Sequence, residues 1–314
     1  MQTRPLGSTG LQVSRLGLGL MTWGGVTDEH EAREQLIAFT GAGGTLLDTA
    51  HIYGQGASEE MLGGLLGDVV ARDDVVIATK AGFGFQRGSR RYDTSRGHLL
   101  RCLDTSLRRL GVDHVDLWQL HVWSNSTPLE ETLAALDHAV STGRATYVGV
   151  SNYAGWQTAQ AATWQRAVPG RTPIASTQVE YSLLNRAVED EIVPAAAALG
   201  VGLLPYSPLA RGVLTGKYRT GTPSDSRGAS DMSSFVEPYL DERAGQIVEA
   251  VARAADGLGW TPLEVALAWV RDRPGVTAPI VGARTAAQLR SVLDVEGRTL
   301  PAEIVDALDD VSAH

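Results

Sequence analysis

Three short pieces of the chain, Asp48-Thr49-Ala50-His51-Ile52-Tyr53-Gly54, Ala78-Thr79-Lys80 and Gln119-Leu120-His121, together hold a carboxylate, a phenol, an ammonium and an imidazole. A phenol is a useful proton donor near neutrality only where its phenolate is stabilised, and an ammonium within about 4–6 Å does that. Lys80 fits this role beside Tyr53, and Asp48 fits the role of holding Lys80 charged and oriented. His121 either donates a hydrogen bond to a substrate carbonyl or relays the proton. The set suits addition of hydride to a carbonyl, in which an oxyanion develops and must be stabilised and protonated.

Each piece follows an apolar run with little alternation: residues 45–47, 75–77 and 115–118 read as strands buried on both faces of a parallel sheet. Polar groups at the C-terminal ends of successive parallel strands converge at one mouth of a closed α/β barrel, where such folds keep their chemistry. Strands are expected at 15–20, 45–48, 75–80, 115–121, 146–150, 176–180, 202–205 and 279–281, after a hairpin around 7–10. Amphipathic stretches at 29–40, 58–69, 94–110, 129–141, 156–167 and 188–199 separate most of them. The alternation predicts a (β/α)8 TIM barrel, with residues 1–314 as a single domain and a last helix carrying Ile304, Val305 and Leu308 packed on the barrel or beneath it. A Gly-, Ser- and Pro-rich stretch at 218–230 breaks the rhythm. It reads either as a surface insertion or as a long loop that folds over a bound cofactor.

With 314 residues, 43% hydrophobic and 20% charged, the chain can build one large core. A net charge of -9 argues against nucleic acid or an anionic membrane as partner. No apolar run reaches the ~18 residues of a membrane span, and Met1-Gln2-Thr3-Arg4-Pro5-Leu6-Gly7 has no leader pattern, so a cytoplasmic location is expected. The single cysteine, Cys102, lies among Leu99, Leu100 and Leu103 and reads as packing. Only Lys80 and Lys217 are lysine among 27 basic residues. A site that needs a compact point charge would keep lysine where arginine serves elsewhere. His51 and His121 come with no carboxylate or histidine at metal-ligand spacing, so no metal is expected. Gly17-Leu18-Gly19 has Thr22 where a third glycine would complete a dinucleotide-binding turn, which rules that motif out.

Over nearly its whole length the chain resembles the aldo-keto reductase superfamily, in the branch of bacterial reductases and potassium channel β subunits. The resemblance rests on Gly44-Thr45-Leu46-Leu47-Asp48-Thr49-Ala50, Tyr53-Gly54, Ser58-Glu59-Glu60, Leu62-Gly63, Thr79-Lys80, Thr127-Pro128-Leu129-Glu130-Glu131-Thr132, Gly149-Val150-Ser151-Asn152 and Gln178-Val179-Glu180-Tyr181-Ser182. It implies a (β/α)8 barrel, NADPH-dependent reduction of an aldehyde or ketone, and a catalytic tetrad of Asp48, Tyr53, Lys80 and His121.

The same resemblance implies that Ser151, Asn152 and Gln178 grip the nicotinamide carboxamide and that Tyr206 stacks on its ring, unless Tyr206 is a core aromatic. Ser207, Leu209, Gly212 and Lys217 match a pyrophosphate-binding segment, and Arg227 a residue lying against the adenine. Gly282 would let backbone approach the cofactor. Arg284, with Gln288 in the helix after it, would meet a 2′-phosphate, which favours NADPH over NADH. Relatives often carry Glu-Asn where this chain has Ser291 and Val292, so adenine contacts are expected to differ. Trp23, Phe83 and Trp123, with Tyr53 and His121, would ring an apolar substrate mouth, although Trp23 and Trp123 read equally well as packing. A small carbonyl compound is the expected partner. The alternative is an NADPH-binding regulatory or redox-sensing protein like the channel β subunits.

Overall fold

The structure is a computed structural model that describes residues 1–86, 89–224, 226–230 and 233–313, with the side chains of residues 85–90 outside the description. Asp225, within the polar stretch, also lies outside it. The chain opens with an antiparallel pair, β1 (Thr3–Pro5) and β2 (Gln12–Ser14). It then alternates β3 (Gly17–Gly19), α1 (Glu29–Gly41), β4 (Leu46–Asp48), α2 (Ala57–Leu65) and β5 (Val76–Ala81). A second hairpin, β6 (Phe83–Gln86) with β7 (Ser89–Tyr92), follows. The rhythm resumes with α3 (Arg96–Leu110), β8 (Val115–Leu120), α4 (Leu129–Ser141), β9 (Ala145–Ser151), α5 (Gly155–Ala167) and β10 (Ile174–Glu180). Then come α6 (Ile192–Ala198), β11 (Gly202–Tyr206), α7 (Glu242–Leu258), α8 (Pro262–Arg271), β12 (Ile280–Val281), α9 (Ala286–Leu293) and α10 (Ala302–Ser312).

Eight parallel strands close into a barrel in the order β10-β11-β12-β3-β4-β5-β8-β9, so the expected (β/α)8 architecture and N-terminal hairpin are both present. Side-chain alternation sorts each strand into an inner and an outer face. Leu46, Ala78 and Leu117 join an inner apolar cluster, whereas Leu47, Ile77 and Trp118 belong to the core shared with the helices. Leu6 and Val13 of the hairpin join the inner cluster and so plug the N-terminal end of the barrel. Gly7 is required there: at φ +57, a Cβ would stand 2.5 Å from the carbonyl oxygen of Gly200.

Helix ends follow their sequence signals. Asp28 and Asp241 accept the amides of Glu31 and Ala244, and Thr261 and Glu264 cap α8 reciprocally around Pro262. The sequence reading overlooked two kinds of feature. The β6–β7 hairpin escaped it because it is short and lies outside the barrel rhythm. The helices α7 and α8 fill the interval between β11 and β12 beyond the polar stretch at 218–230, where the sequence pattern marks no element, and α10, expected on the barrel or beneath it, packs against α7. Within that interval the described residues make short 3-10 turns at Arg227–Ala229, Ser233–Phe235 and Glu237–Tyr239. No helix among the described residues is long and apolar enough to cross a membrane.

Candidate active site

Two residues beyond the inner apolar layer, the same strand faces carry polar groups. Asp48 follows Leu46 on β4, Lys80 follows Ala78 on β5, and Gln119 follows Leu117 on β8, so the period of two aims all three into the barrel. The intervening Thr79 points outward and donates to Glu59 Oε1 of α2 at 2.6 Å. His121 leaves the end of β8, its amide held by the Ala81 carbonyl at 2.7 Å. Tyr53 stands on a turn after β4 whose backbone is left-handed at Gly54, Gln55 and Gly56.

The Lys80 side chain is fully buried and donates from Nζ to Asp48 Oδ2 at 2.6 Å and to the Thr49 carbonyl at 2.8 Å. Its ammonium lies 5.2 Å from the centre of the Tyr53 ring. Burial works against this charge, yet the charges and hydrogen bonds of Asp48 and Tyr53 outweigh it and hold the pKa above its ordinary value. The other carboxylate oxygen of Asp48 accepts from Gln178 Nε2 at 2.8 Å and from Gln119 Nε2 at 3.4 Å. The rings of Tyr53 and His121 meet edge to face, 5.8 Å apart, and Phe83 packs on His121 at 4.7 Å. The four residues singled out in the sequence therefore gather at one mouth.

A second set adjoins them. Asn152 has φ 58 and donates from Nδ2 to the His121 carbonyl at 2.9 Å and to Ser151 Oγ at 3.2 Å. Its Oδ1 accepts from the Tyr206 hydroxyl at 2.9 Å. Burial, with help from Glu180, raises the Tyr206 pKa, so its hydroxyl stays a donor. Ser207, Ala210 and Arg211 also have positive φ, and such strained non-glycine backbone gathers where a loop is shaped for a ligand. Gly212, at φ +96, leaves room for Lys217 Nζ, which would lie 3.0 Å from a Cβ there. Lys217 is exposed, and Leu209, which precedes the 3-10 segment Ala210–Thr215, is half-buried.

The far end of this set is cationic. Arg227 has its pKa lowered mainly by burial and further by Arg211 and Arg284, and no carboxylate among the described residues lies within ion-pair distance of it. An anion would relieve that repulsion. The Arg284 amide donates to Gln288 Oε1 at 3.0 Å at the start of α9. A Cβ on Gly282 would meet nothing nearer than the Gly19 carbonyl oxygen at 3.7 Å, so no packing demands glycine there and the backbone is open to a ligand. Ser291 is exposed and donates to the Ala287 carbonyl of its own helix, and Val292 is buried, so the pair offers neither a carboxylate nor an amide outward.

At the substrate mouth the structure separates the expected residues. Trp23 is fully buried, its Nε1 donating to Gln35 Oε1 of α1 at 3.1 Å, which makes it a core residue and not part of the mouth. The indole fills the space between β3 and α1, where burying its large apolar face is most favourable. Trp123 is half-buried and packs edge-on against Tyr153 at 5.1 Å and Trp156 at 5.4 Å, near the opening.

Several contacts of the neighbourhood are not legible in the sequence. Arg109 of α3 donates to the His51 carbonyl at 3.1 Å, the Gln55 carbonyl at 3.1 Å and Glu59 Oε2 at 3.3 Å, tying down the turn that carries Tyr53. Gly56 makes room for it, since a Cβ would fall 2.1 Å from Arg109 Cζ. Arg211 pairs with Glu180 at 3.3 Å beside the Phe235 and Tyr239 rings, and the Tyr239 hydroxyl donates to Glu180 at 2.5 Å. His51, with its pKa lowered chiefly by burial, meets His98 and Cys102 behind the mouth, and burial pushes the Cys102 thiol up to about 12. No local pattern marks Arg109 or Arg211 as inward-facing, and only the fold turns them inward.

Comparison with known proteins agrees with this architecture. The family model described as the aldo/keto reductase family matches residues 15–313. The chain belongs to the aldo/keto reductase family. With that membership comes oxidoreductase activity. An uncharacterized oxidoreductase, YrpG, of Bacillus subtilis is 36% identical over 99% of this chain and 96% of the relative. A probable voltage-gated potassium channel subunit beta of rice is also 36% identical, over 99% of this chain and 96% of its own length. The L-glyceraldehyde 3-phosphate reductase of Escherichia coli is 36% identical over 92% of this chain and 86% of the relative. Within the aldo/keto reductase barrel, the polar mouth described above is the candidate active site.

Proposed function

We propose that this aldo/keto reductase reduces an aldehyde or ketone to an alcohol with NADPH, and that residues 1–314 work as one catalytic domain. The observation that carries the reading is the buried ammonium of Lys80, 2.6 Å from Asp48 and 5.2 Å from the Tyr53 ring. A reduced nicotinamide supplies the hydride when bound. Tyr53 gives its phenolic proton to the substrate oxygen as the carbon accepts hydride, and the Lys80 charge stabilises the phenolate left behind. Asp48, gripped by Gln178 and Gln119, keeps Lys80 in place. His121, half of an edge-to-face pair with Tyr53, orients the carbonyl oxygen between the two rings.

Asn152, Ser151, Gln178 and Tyr206 would hold the nicotinamide, and Ser207, Leu209, Gly212 and Lys217 the pyrophosphate. Arg284, with Gln288, would take the adenosine 2′-phosphate, Gly282 would let backbone approach the cofactor, and Arg227 would lie against the adenine beside that phosphate. The crowding of Arg227 by Arg211 and Arg284, with no carboxylate among the described residues within ion-pair distance, supports an anion of high charge there, which fits a 2′-phosphate. Phe83 and Trp123 wall an apolar substrate mouth. A location in the cytoplasm fits an enzyme that draws on NADPH.

The test is turnover of an activated aromatic aldehyde, followed as loss of NADPH absorbance. Tyr53→Phe removes most of the rate while NADPH still binds, and wild-type turnover in that variant would exclude Tyr53 as the acid. The similarity to a channel β subunit keeps a regulatory role as the second reading. A protein that binds NADPH yet reduces no carbonyl compound would favour it.

A further inference from the structure

We propose that His51, His98 and Cys102 form a binding site for a thiophilic divalent metal ion, Zn2+ fitting best, and that an ion held there slows the neighbouring oxidoreductase site. The three side chains come from the turn after β4 and from α3, where His98 and Cys102 stand one helical turn apart on one face. Their ligand atoms all lie within 4.8 Å of one another. Cys102 Sγ is 3.5 Å from His51 Nε2 and 3.3 Å from His98 Nε2. Zinc bonds of about 2.3 Å to sulfur and about 2.0–2.1 Å to nitrogen, opened to the tetrahedral angle, put sulfur and nitrogen about 3.6 Å apart. The pocket therefore already has nearly the spacing that the ion demands.

A fourth ligand, an oxygen, is at hand. The Phe83 carbonyl lies 3.3 Å from His51 Nε2 and 2.9 Å from His98 Nε2, and it or a water completes the tetrahedron. Behind His98, the Asp93 carboxylate stands 4.0 Å from Nδ1, on the side from which an acidic group steadies a metal-bound imidazole. The His51 Nδ1 is buried with no partner among the described residues, so on that side no competing hydrogen bond fixes the ring. Entry is open, because the His98 side chain is 17% exposed while Cys102 is only 5% exposed. On binding, two neutral imidazoles and a thiolate donate electron pairs to the ion, and the thiol proton leaves to solvent.

The coupling follows from position. His51 lies two residues before Tyr53, and its amide bonds the Lys80 carbonyl at 3.0 Å. Phe83, whose carbonyl both imidazoles now face, packs its ring on His121 at 4.7 Å. Drawing His51 and the Phe83 backbone around an ion shifts the supports of both Tyr53 and His121. None of the three ligands belongs to the proposed hydride-transfer machinery, so the site stands whether or not that reading holds.

The test uses the full chain with Co2+ and Zn2+ alone. Co2+ should bind once per chain with a thiolate-to-cobalt charge-transfer band in the near ultraviolet, and Zn2+ should displace it. Cys102→Ser should abolish the band, and His98→Gln should weaken Zn2+ by about tenfold or more. Both variants should melt near wild type, and both should keep basal turnover. Saturating Zn2+ should lower wild-type kcat several-fold and leave Cys102→Ser unaffected. A missing charge-transfer band, or Zn2+ affinity unchanged in both variants, overturns the site. Equal Zn2+ inhibition of wild type and Cys102→Ser overturns the coupling.

Discussion

Replacing Arg109 by Met should damage stability and turnover together, although Arg109 touches none of the four residues at the mouth. Glu59 is fully buried, and its partners are Thr79 Oγ1 at 2.6 Å and Arg109 at 3.3 Å. Removing the guanidinium leaves a buried carboxylate with one neutral hydrogen bond, and breaking such a pair from one side costs about 3–5 kcal/mol. The Arg109 side chain is 21% exposed, so water reaches its place and the lower end, about 3 kcal/mol, applies. Its contact with Glu60, which is 66% exposed, adds nothing measurable. The His51 and Gln55 carbonyls also lose their donor, freeing the strained turn that carries Tyr53. Urea unfolding followed by tryptophan fluorescence measures the first effect, and kcat with NADPH affinity measures the second. The expected result is a loss of about 3 kcal/mol, a lowered kcat and unchanged NADPH affinity. Arg109→Met/Glu59→Gln should recover part of the stability by discharging the orphan, without restoring kcat. A loss below about 1 kcal/mol for Arg109→Met would refute the argument that the buried Glu59 depends on it.

Lys80→Met should cut carbonyl reduction by about ten- to a thousandfold, the range expected when a phenolate loses a neighbouring ammonium worth 1–3 pKa units. A rate within threefold of wild type would remove Lys80 from the mechanism. Arg284→Ala should weaken NADPH much more than NADH in fluorescence titrations, and equal losses would sink the 2′-phosphate assignment. Acid should destabilise the fold through Glu189, Glu264 and Asp272. Burial alone would raise their pKa values, but Arg186, the Thr261 cap with Arg298, and Arg271 with Arg4 outweigh it and hold them low. Because the folded values are depressed, their contribution is present above the ordinary 4.5 of glutamate and 3.8 of aspartate, and is lost as pH falls through the folded values. A melting temperature unchanged from pH 7 to pH 3 would contradict this.

Much of the barrel was legible because its strands are short apolar runs that end in polar residues. Once Leu46, Ala78 and Leu117 are set on the inner face, alternation carries Asp48, Lys80 and Gln119 inward with them. The hairpin β6–β7 and the helices α7 and α8 were not legible by that rhythm, since they lie outside the strand-helix repeat. Trp23 shows the limit for single residues: a tryptophan just after a strand end reads equally as pocket wall or core, and the bond to Gln35 decides it.

The sequence by itself determined the order of strands, the residue types at their ends and the rarity of lysine. Those are local properties, carried by hydrophobic period and by the chemistry of each side chain. Only the tertiary structure decided which groups meet. Arg109 and Glu59, Arg227 and Arg284, and His51 with His98 and Cys102 are each far apart or unremarkable along the chain. They become partners because barrel closure packs α2 against α3 and brings the loop after β11 over to the start of α9. Contacts of that kind depend on how whole elements dock, and no local pattern encodes them.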